Sequence, residues 1–187
     1  MNSKAFVLQI SQRLKMLRAR RGWSLDATAK KTGVSKAMLG QIERGESSPT
    51  IGTLWKIASG FETSFSSFFS GQAEKKEPSV TFPHDPLMQI QTVFPYSSDT
   101  RMEVFEITLC CDHEQQSSPH QPGVIEHVIV QEGTLEFYFD GIWHALEQGE
   151  KTRFFADQPH AYRGVGAKAV FQNIIIYPCN NCDSHIE

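Results

Sequence analysis

Residues 24–45 read S-L-D-A-T-A-K-K-T-G-V-S-K-A-M-L-G-Q-I-E-R-G, and this stretch decides how the first third of the chain folds. Ser24 and Ser35 stand where helix N-caps would, since a hydroxyl accepts hydrogen bonds from the unpaired amides of a first helical turn. Gly33 and Gly45 supply the stops, because glycine takes the left-handed backbone that a β-carbon resists. Thr32-Gly33-Val34 is too short for a relaxed loop, so the second helix must leave at a steep angle. Ala29, Leu39 and Ile42 then face inward together. A small residue where two helices touch, glycine at the turn and branched residues locking the second helix make a helix-turn-helix pattern.

With Leu39 and Ile42 buried, helical spacing puts Lys36, Ala37, Gly40, Gln41 and Arg44 on the opposite face. Lysine and glutamine can read base edges in the major groove, while Ala37 and Gly40 lack bulk and would let the helix axis approach a duplex. A glycine in a helix interior costs about 1 kcal/mol relative to alanine, which close approach to DNA would offset. The plain alternative is a solvated polar face, and the coincidence of caps and stops weighs against it.

The run G-V-S-K-A-M-L-G-Q-I-E-R-G-E-S-S-P-T, residues 33–50, resembles the XRE (Cro/C1-type) helix-turn-helix family of transcriptional regulators. The resemblance implies a five-helix domain over about residues 6–70. It implies that Lys36, Ala37 and Gln41 face bases and that Ser24 and Arg44 lie near the phosphate backbone; Gly40, by its helical spacing, and the N-cap Ser35 are counted with them as DNA-binding residues. It also implies that Glu43 pairs with an arginine of the first helix, here Arg18, as a structural ion pair whose loss is expensive when shielded.

Around this centre, a first helix is expected over about residues 5–21, with Ile10, Leu14 and Leu17 at helical spacing and Gly22 ending it. Ser47-Ser48-Pro49-Thr50 starts a fourth, since proline is tolerated in a first turn and serine can cap it. Ile51, Leu54, Ile57 and Ala58 form its buried stripe, and Gly60 stops it. Residues 64–69, S-F-S-S-F-F, read as a fifth short helix pinning aromatics onto the core.

A chain of 187 residues is long enough for two small domains with separate cores. Its net charge of −3 conceals a segregation: residues 1–71 carry 11 Lys or Arg against 4 Asp or Glu, and the remainder 7 against 17. A basic first third on an acidic remainder fits a DNA-binding domain carried by another module. The absence of a long apolar run excludes a membrane-spanning helix, and the first residues, M-N-S-K-A-F-V-L-Q-I-S, lack a signal peptide's apolar core. A cytoplasmic location is expected. The four cysteines, Cys110-Cys111 and Cys179-Asn180-Asn181-Cys182, are poorly spaced for one structural zinc and are read as reduced thiols, the second pair keeping a redox or metal-hook alternative.

Residues 71–79, G-Q-A-E-K-K-E-P-S, are polar and bracketed by glycine and proline, a linker. From residue 80 the period changes to strand-like runs at 88–94, 102–109, 124–130, 134–139, 142–146, 152–155 and 169–177. Asp140-Gly141 signals a two-residue hairpin, and Gly133 and Gln148-Gly149 mark further turns. The expected fold is therefore α+β multidomain: an N-terminal all-α five-helix helix-turn-helix domain (1–70), a linker, and an all-β closed barrel or jelly roll (80–187).

The runs P-H-Q-P-G-V-I-E-H-V-I-V-Q-E-G-T-L (119–135) and L-E-Q-G-E-K-T-R-F-F-A-D-Q-P-H-A-Y-R (146–163) resemble the two motifs of cupins. By that resemblance His120, Glu126 and His160 fall on metal-ligand positions, and Ser118 stands where a further histidine is usual. Two imidazoles and a carboxylate could hold one divalent zinc or iron with an open position; alternatively, the histidines hydrogen-bond within a polar pocket. Strand alternation points His127 away from Glu126, but both faces of that strand are apolar, so periodicity does not choose the inward one. Glu126, Tyr138, His160, Tyr162 and Arg163 are expected to line or rim a small-molecule pocket.

A helix-turn-helix joined to a cupin implies a homodimeric transcription regulator that binds double-stranded operator DNA and senses a small effector. The sequence is also similar to bacterial sulphur-utilisation regulators, in S-K-A-M-L-G-Q-I-E and G-V-I-E-H-V, which points to a sulphur-containing amino acid. A metal-dependent cupin dioxygenase or isomerase with an accessory DNA-binding domain is the main alternative, weakened by the absent histidine. A DNA-bound scaffold whose barrel only dimerises is a second.

Overall fold

The structure, a computed structural model, describes residues 3–68, 80–82 and 85–178. The expected linker at 71–79 and the Cys179 and Cys182 pair lie outside these residues. Four helices come first: α1 (Ser3–Arg21), α2 (Leu25–Thr32), α3 (Lys36–Glu43) and α4 (Ile51–Gly60). The expected fifth helix is a single 3₁₀ turn, Ser66–Phe68; Phe68 within it and Phe65 just before it are fully buried. Three hydroxyls set the helix starts. Ser24 accepts from the Ala27 amide, Ser35 from Met38 and Thr50 from Thr53. Thr50, rather than a serine, therefore caps α4. Gly33 and Gly45 adopt left-handed φ of 67° and 70°. At the end of α3 the Glu46 amide reaches back to the Gln41 carbonyl and Gly45 to Ile42, a Schellman closure.

The second part is an antiparallel sheet of eight strands: β1 (Val80–Phe82), β2 (Asp85–Ser97), β3 (Met102–Cys110), β4 (Glu114–Ser117), β5 (Ile125–Phe139), β6 (Ile142–Leu146), β7 (Lys151–Phe155) and β8 (His160–Ile176). Their order is β1-β2-β3-β8-β5-β6, with β4 on β8 and β7 on β5. Two long strands carry the architecture. β8 pairs first with β4 and the far half of β5, then with β3 and the near half of β5. Sequence periodicity divides β5 at Gly133, but the strand runs through it. Register shifts between Val130 and Thr134 bend the strand there, and Gly133, at φ 75°, lies so near the Lys168 carbonyl that a β-carbon would approach to 2.3 Å. It is a bulge glycine, not a hairpin turn. The Asp140-Gly141 hairpin does form, both residues having positive φ.

Separate cores are not found. The buried apolar side chains of helices and sheet form one cluster, joined where Trp55 of α4 stacks on Phe65 at 4.2 Å and Phe65 meets Phe105 of β3 edge-on at 5.7 Å. Glu103, also on β3 and fully buried, accepts the backbone amides of Phe65 and Ser66 at 3.1 and 3.0 Å and the hydroxyl proton of Tyr177. Its burial raises the carboxyl above the ordinary range, against the opposing hydrogen bonds from Ser66, Tyr177 and the Phe65 amide.

Candidate functional site

The α3 surface has its base-reading candidates in the open. Ser35, Lys36, Ala37, Gln41 and Arg44 are exposed, as is Ser24 at the start of α2. Lys36 pairs with Asp26 of α2 at 2.7 Å, and Arg44 holds Glu46 through two bonds of 2.8 and 2.7 Å. Gly40 departs from the expected open face: it is buried, Leu25 lies beneath it, and an added β-carbon would meet the Arg44 guanidinium at 3.1 Å. Its missing side chain lets Arg44 lie across the helix. Behind the face, Glu43 accepts two hydrogen bonds from Arg18 of α1, at 2.6 and 3.0 Å, and its carbonyl accepts from Ser11. Arg18 also donates to the Trp23 carbonyl. This pair fixes α3 on α1, the structural role the family resemblance implies for it.

The second cluster lies in the sheet. Alternation along β5 buries Glu126, Val128 and Val130 together, with Val124 buried just before the strand, which resolves the choice of face left open by sequence and turns His127 to the other side. Glu126 is at the centre. One carboxylate oxygen lies 2.7 Å from His120 Nε2 and 3.5 Å from His160 Nε2; the other accepts from Asn173 at 2.8 Å and from the Tyr162 hydroxyl. Burial alone would raise the Glu126 carboxyl, but the charge of nearby His160, the hydrogen bond from His120 and the charge of His120 hold it well below the carboxylate range. Burial opposes protonation of His160, yet Glu126 and the Gln158 carbonyl raise it; burial and Glu126 together push the Tyr162 hydroxyl well up.

The donor set fits a divalent cation. Ligand atoms of His120, Glu126 and His160 lie within 4.8 Å of one another, and a tetrahedral ion with ligands at about 2.1 Å spaces them about 3.4 Å apart. His160 directs Nδ1 at the Gln158 carbonyl, 2.9 Å away, leaving Nε2 buried without a hydrogen bond beside the carboxylate. His120 Nδ1 is likewise buried and unbonded. An ion beside Glu126 would satisfy the His160 nitrogen, while His120 would meet it through Nε2, the nitrogen facing the carboxylate.

The residues expected to share one effector pocket divide around His160. Tyr138 and His160 line an outer cleft of about 320 Å³ with Glu114, Trp143 and Ala161. Arg163 braces that cleft from behind, 4.1 Å over the Trp143 ring and ion-paired to Glu114 and Glu136. Glu126 and Tyr162 instead face an inner cavity of about 20 Å³, with Gln115 and Asn173. One wall of that cavity is Trp55, whose ring lies 4.4 Å from the His120 ring. The sequence reading passed over Trp55 although it stands at i+4 from Ile51. An apolar face spanning Ile51, Leu54, Trp55, Ile57 and Ala58 is wider than one packing contact needs.

A capped helix-turn-helix with an exposed second helix, joined to an eight-stranded antiparallel sheet, defines the class of DNA-binding regulators with a second, sheet-built module. Comparison with known proteins agrees. Residues 14–68 match the helix-turn-helix family HTH_3. The HTH-type transcriptional regulator SutR of Escherichia coli (strain K12) is 49% identical over 170 residues, covering 90% of this chain and 95% of that protein. The crystal structure of an HTH_3 family transcriptional regulator from Vibrio cholerae is 59% identical, covers 95% of this chain and all of the other, and superposes with a TM-score of 0.91. This chain belongs to the HTH-type transcriptional regulators of the HTH_3 (XRE) family. No described helix is long and apolar enough to cross a membrane.

Proposed function

We propose that the chain is a cytoplasmic homodimeric regulator, with residues 1–70 binding operator DNA and residues 80–187 sensing a small effector. The observation carrying this reading is the α3 surface: a helix locked from behind by the Arg18–Glu43 pair and carrying exposed Lys36, Ala37 and Gln41. Lys36 and Gln41 read bases, Ala37 gives room, Arg44, Ser24 and Ser35 meet phosphates, and Gly40 shapes the surface by seating Arg44. Two copies related by a two-fold axis would read two half-sites about one helical turn apart.

The effector module rests on the His120–Glu126–His160 group and the cleft beside His160. These residues would hold zinc or iron, which supplies a Lewis-acidic anchor for a ligand atom. His160 links ion to cleft, Tyr138 and Trp143 offer aromatic faces, and Arg163 orders Glu114 at the rim. A sulphur-containing amino acid suits this mixture of soft anchor, aromatic wall and fixed charges. A metal-dependent dioxygenase or isomerase shares the His-Glu-His group and predicts metal-dependent turnover, with oxygen uptake if it is a dioxygenase.

Selection of bound sequences from random duplexes with the full chain tests the DNA reading. Enrichment of a two-fold-related site is expected. Recovery of unenriched sequences with normal folding would overturn it.

A further inference from the structure

Helix α4 belongs to the helix-turn-helix part yet closes the sheet's buried centre. Ile51 and Trp55 form one side of the inner cavity, Trp55 lies on the His120 ring, and Phe65 backs Trp55. A space of about 20 Å³ admits roughly one water. The cover is held from outside the centre: Glu103 grips the Phe65 and Ser66 amides, and Ser66 accepts the Tyr96 amide at 3.2 Å. At its other end α4 is wedged against α2, where a β-carbon on Gly60 would fall 2.6 Å from Thr32 Cα and 2.8 Å from the Lys31 carbonyl. Thr32 is the last residue of α2, at the turn into α3.

We propose that Trp55 is the lid of the His120–Glu126–His160 centre, and that the occupant of the centre and the seating of the DNA-binding helices share one equilibrium. The space beneath the seated lid, bordered by Glu126 and Trp55, leaves room on the ion for nothing larger than about one water. A larger group bound to the ion on this side must lift Trp55, and α4 cannot move without dragging the end of α2 and so the α2–α3 pair. The DNA-binding part thus senses occupancy by direct contact. This rests on the reading that the centre holds a divalent cation.

The test uses the full chain and Zn²⁺. Zinc release to an excess of chelator is followed for wild type, Trp55→Ala, Trp55→Phe and Glu103→Gln. Trp55→Ala is expected to release zinc about tenfold faster or more, with Trp55→Phe restoring much of the delay. Glu103→Gln should also accelerate release although it touches no ligand. In wild type, zinc should slow amide hydrogen exchange across residues 51–60, since whatever the lid does for the ion the ion does for the lid. Equal release rates for wild type and Trp55→Ala at equal zinc content, or unchanged exchange in α4, would overturn the lid while leaving the metal reading standing. A wild-type chain that binds no zinc would overturn both.

Discussion

The two sites of this protein are held in opposite ways. On α3 the charged groups are exposed and already paired at the surface, Lys36 with Asp26 and Arg44 with Glu46. Such pairs are worth little, so exchanging a carboxylate for a phosphate or a base edge costs little. At the sheet centre the Glu126 side chain is 1% exposed and both its oxygens are engaged, by His120 on one side and by Tyr162 and Asn173 on the other. An occupant there has to replace the His120–Glu126 hydrogen bond among packed side chains. The exposed surface trades partners at little cost, and the buried one only with rearrangement around it.

The contrast breaks most visibly with His120→Ala combined with His160→Ala, which should take bound divalent metal from about one ion per chain to none, by metal analysis. Unchanged content would put the ion elsewhere. Next, Arg18→Ala should lower stability by about 2 to 3 kcal/mol, below the full cost of a broken buried pair because Arg18 keeps some water contact. It strands Glu43, whose side chain is 8% exposed; a thermal melt matching wild type would make the pair ornamental. Lys36→Ala should cost about 1 to 3 kcal/mol at one position of each half-site and relax preference there, measured by binding to single-base variants. Arg44→Ala should reduce the salt slope of DNA binding by about one phosphate contact on specific and random DNA alike.

The smallest effect is in pH. Glu126, held below its ordinary 4.5, contributes stability that is present above that value and is lost as pH falls toward its folded value. His160, raised above 6.5, contributes stability that is full below that value and is lost as pH rises through its folded one. Metal-free wild type should therefore exceed Glu126→Gln most between about pH 4.5 and 6.5. A constant difference between their melting curves across pH would deny the pairing.

The same contrast explains what was legible in the sequence. Caps and stops act within a few residues, so α2, α3 and the Ser24, Ser35, Gly33 and Gly45 signals were readable directly. Strand extent is settled by partners far along the chain. The single β5 through Gly133, the full length of β8 from His160, and short β4 were therefore out of reach of a local period. The inward face of β5 stayed open because Ile125 and Ile129 are as apolar as Val124 and Val128. Glu103 did leave a trace, a carboxylate alternating with Phe105, Ile107 and Leu109 on the buried face of β3. The division of the effector residues between an outer cleft and an inner cavity depends on how the sheet wraps around His160, which no spacing encodes.

The unbroken run of buried side chains from α1 to β8 also limits how the molecule can be engineered. Cutting between helices and sheet would strip Ile51, Trp55 and Phe65 of their cover and orphan the Glu103 carboxylate. Excised pieces should tend to clump, and a chimera carrying this reading head on a foreign sensor would need a new partner for that greasy seam. Helices and sheet share one buried core, so they do not behave as interchangeable parts.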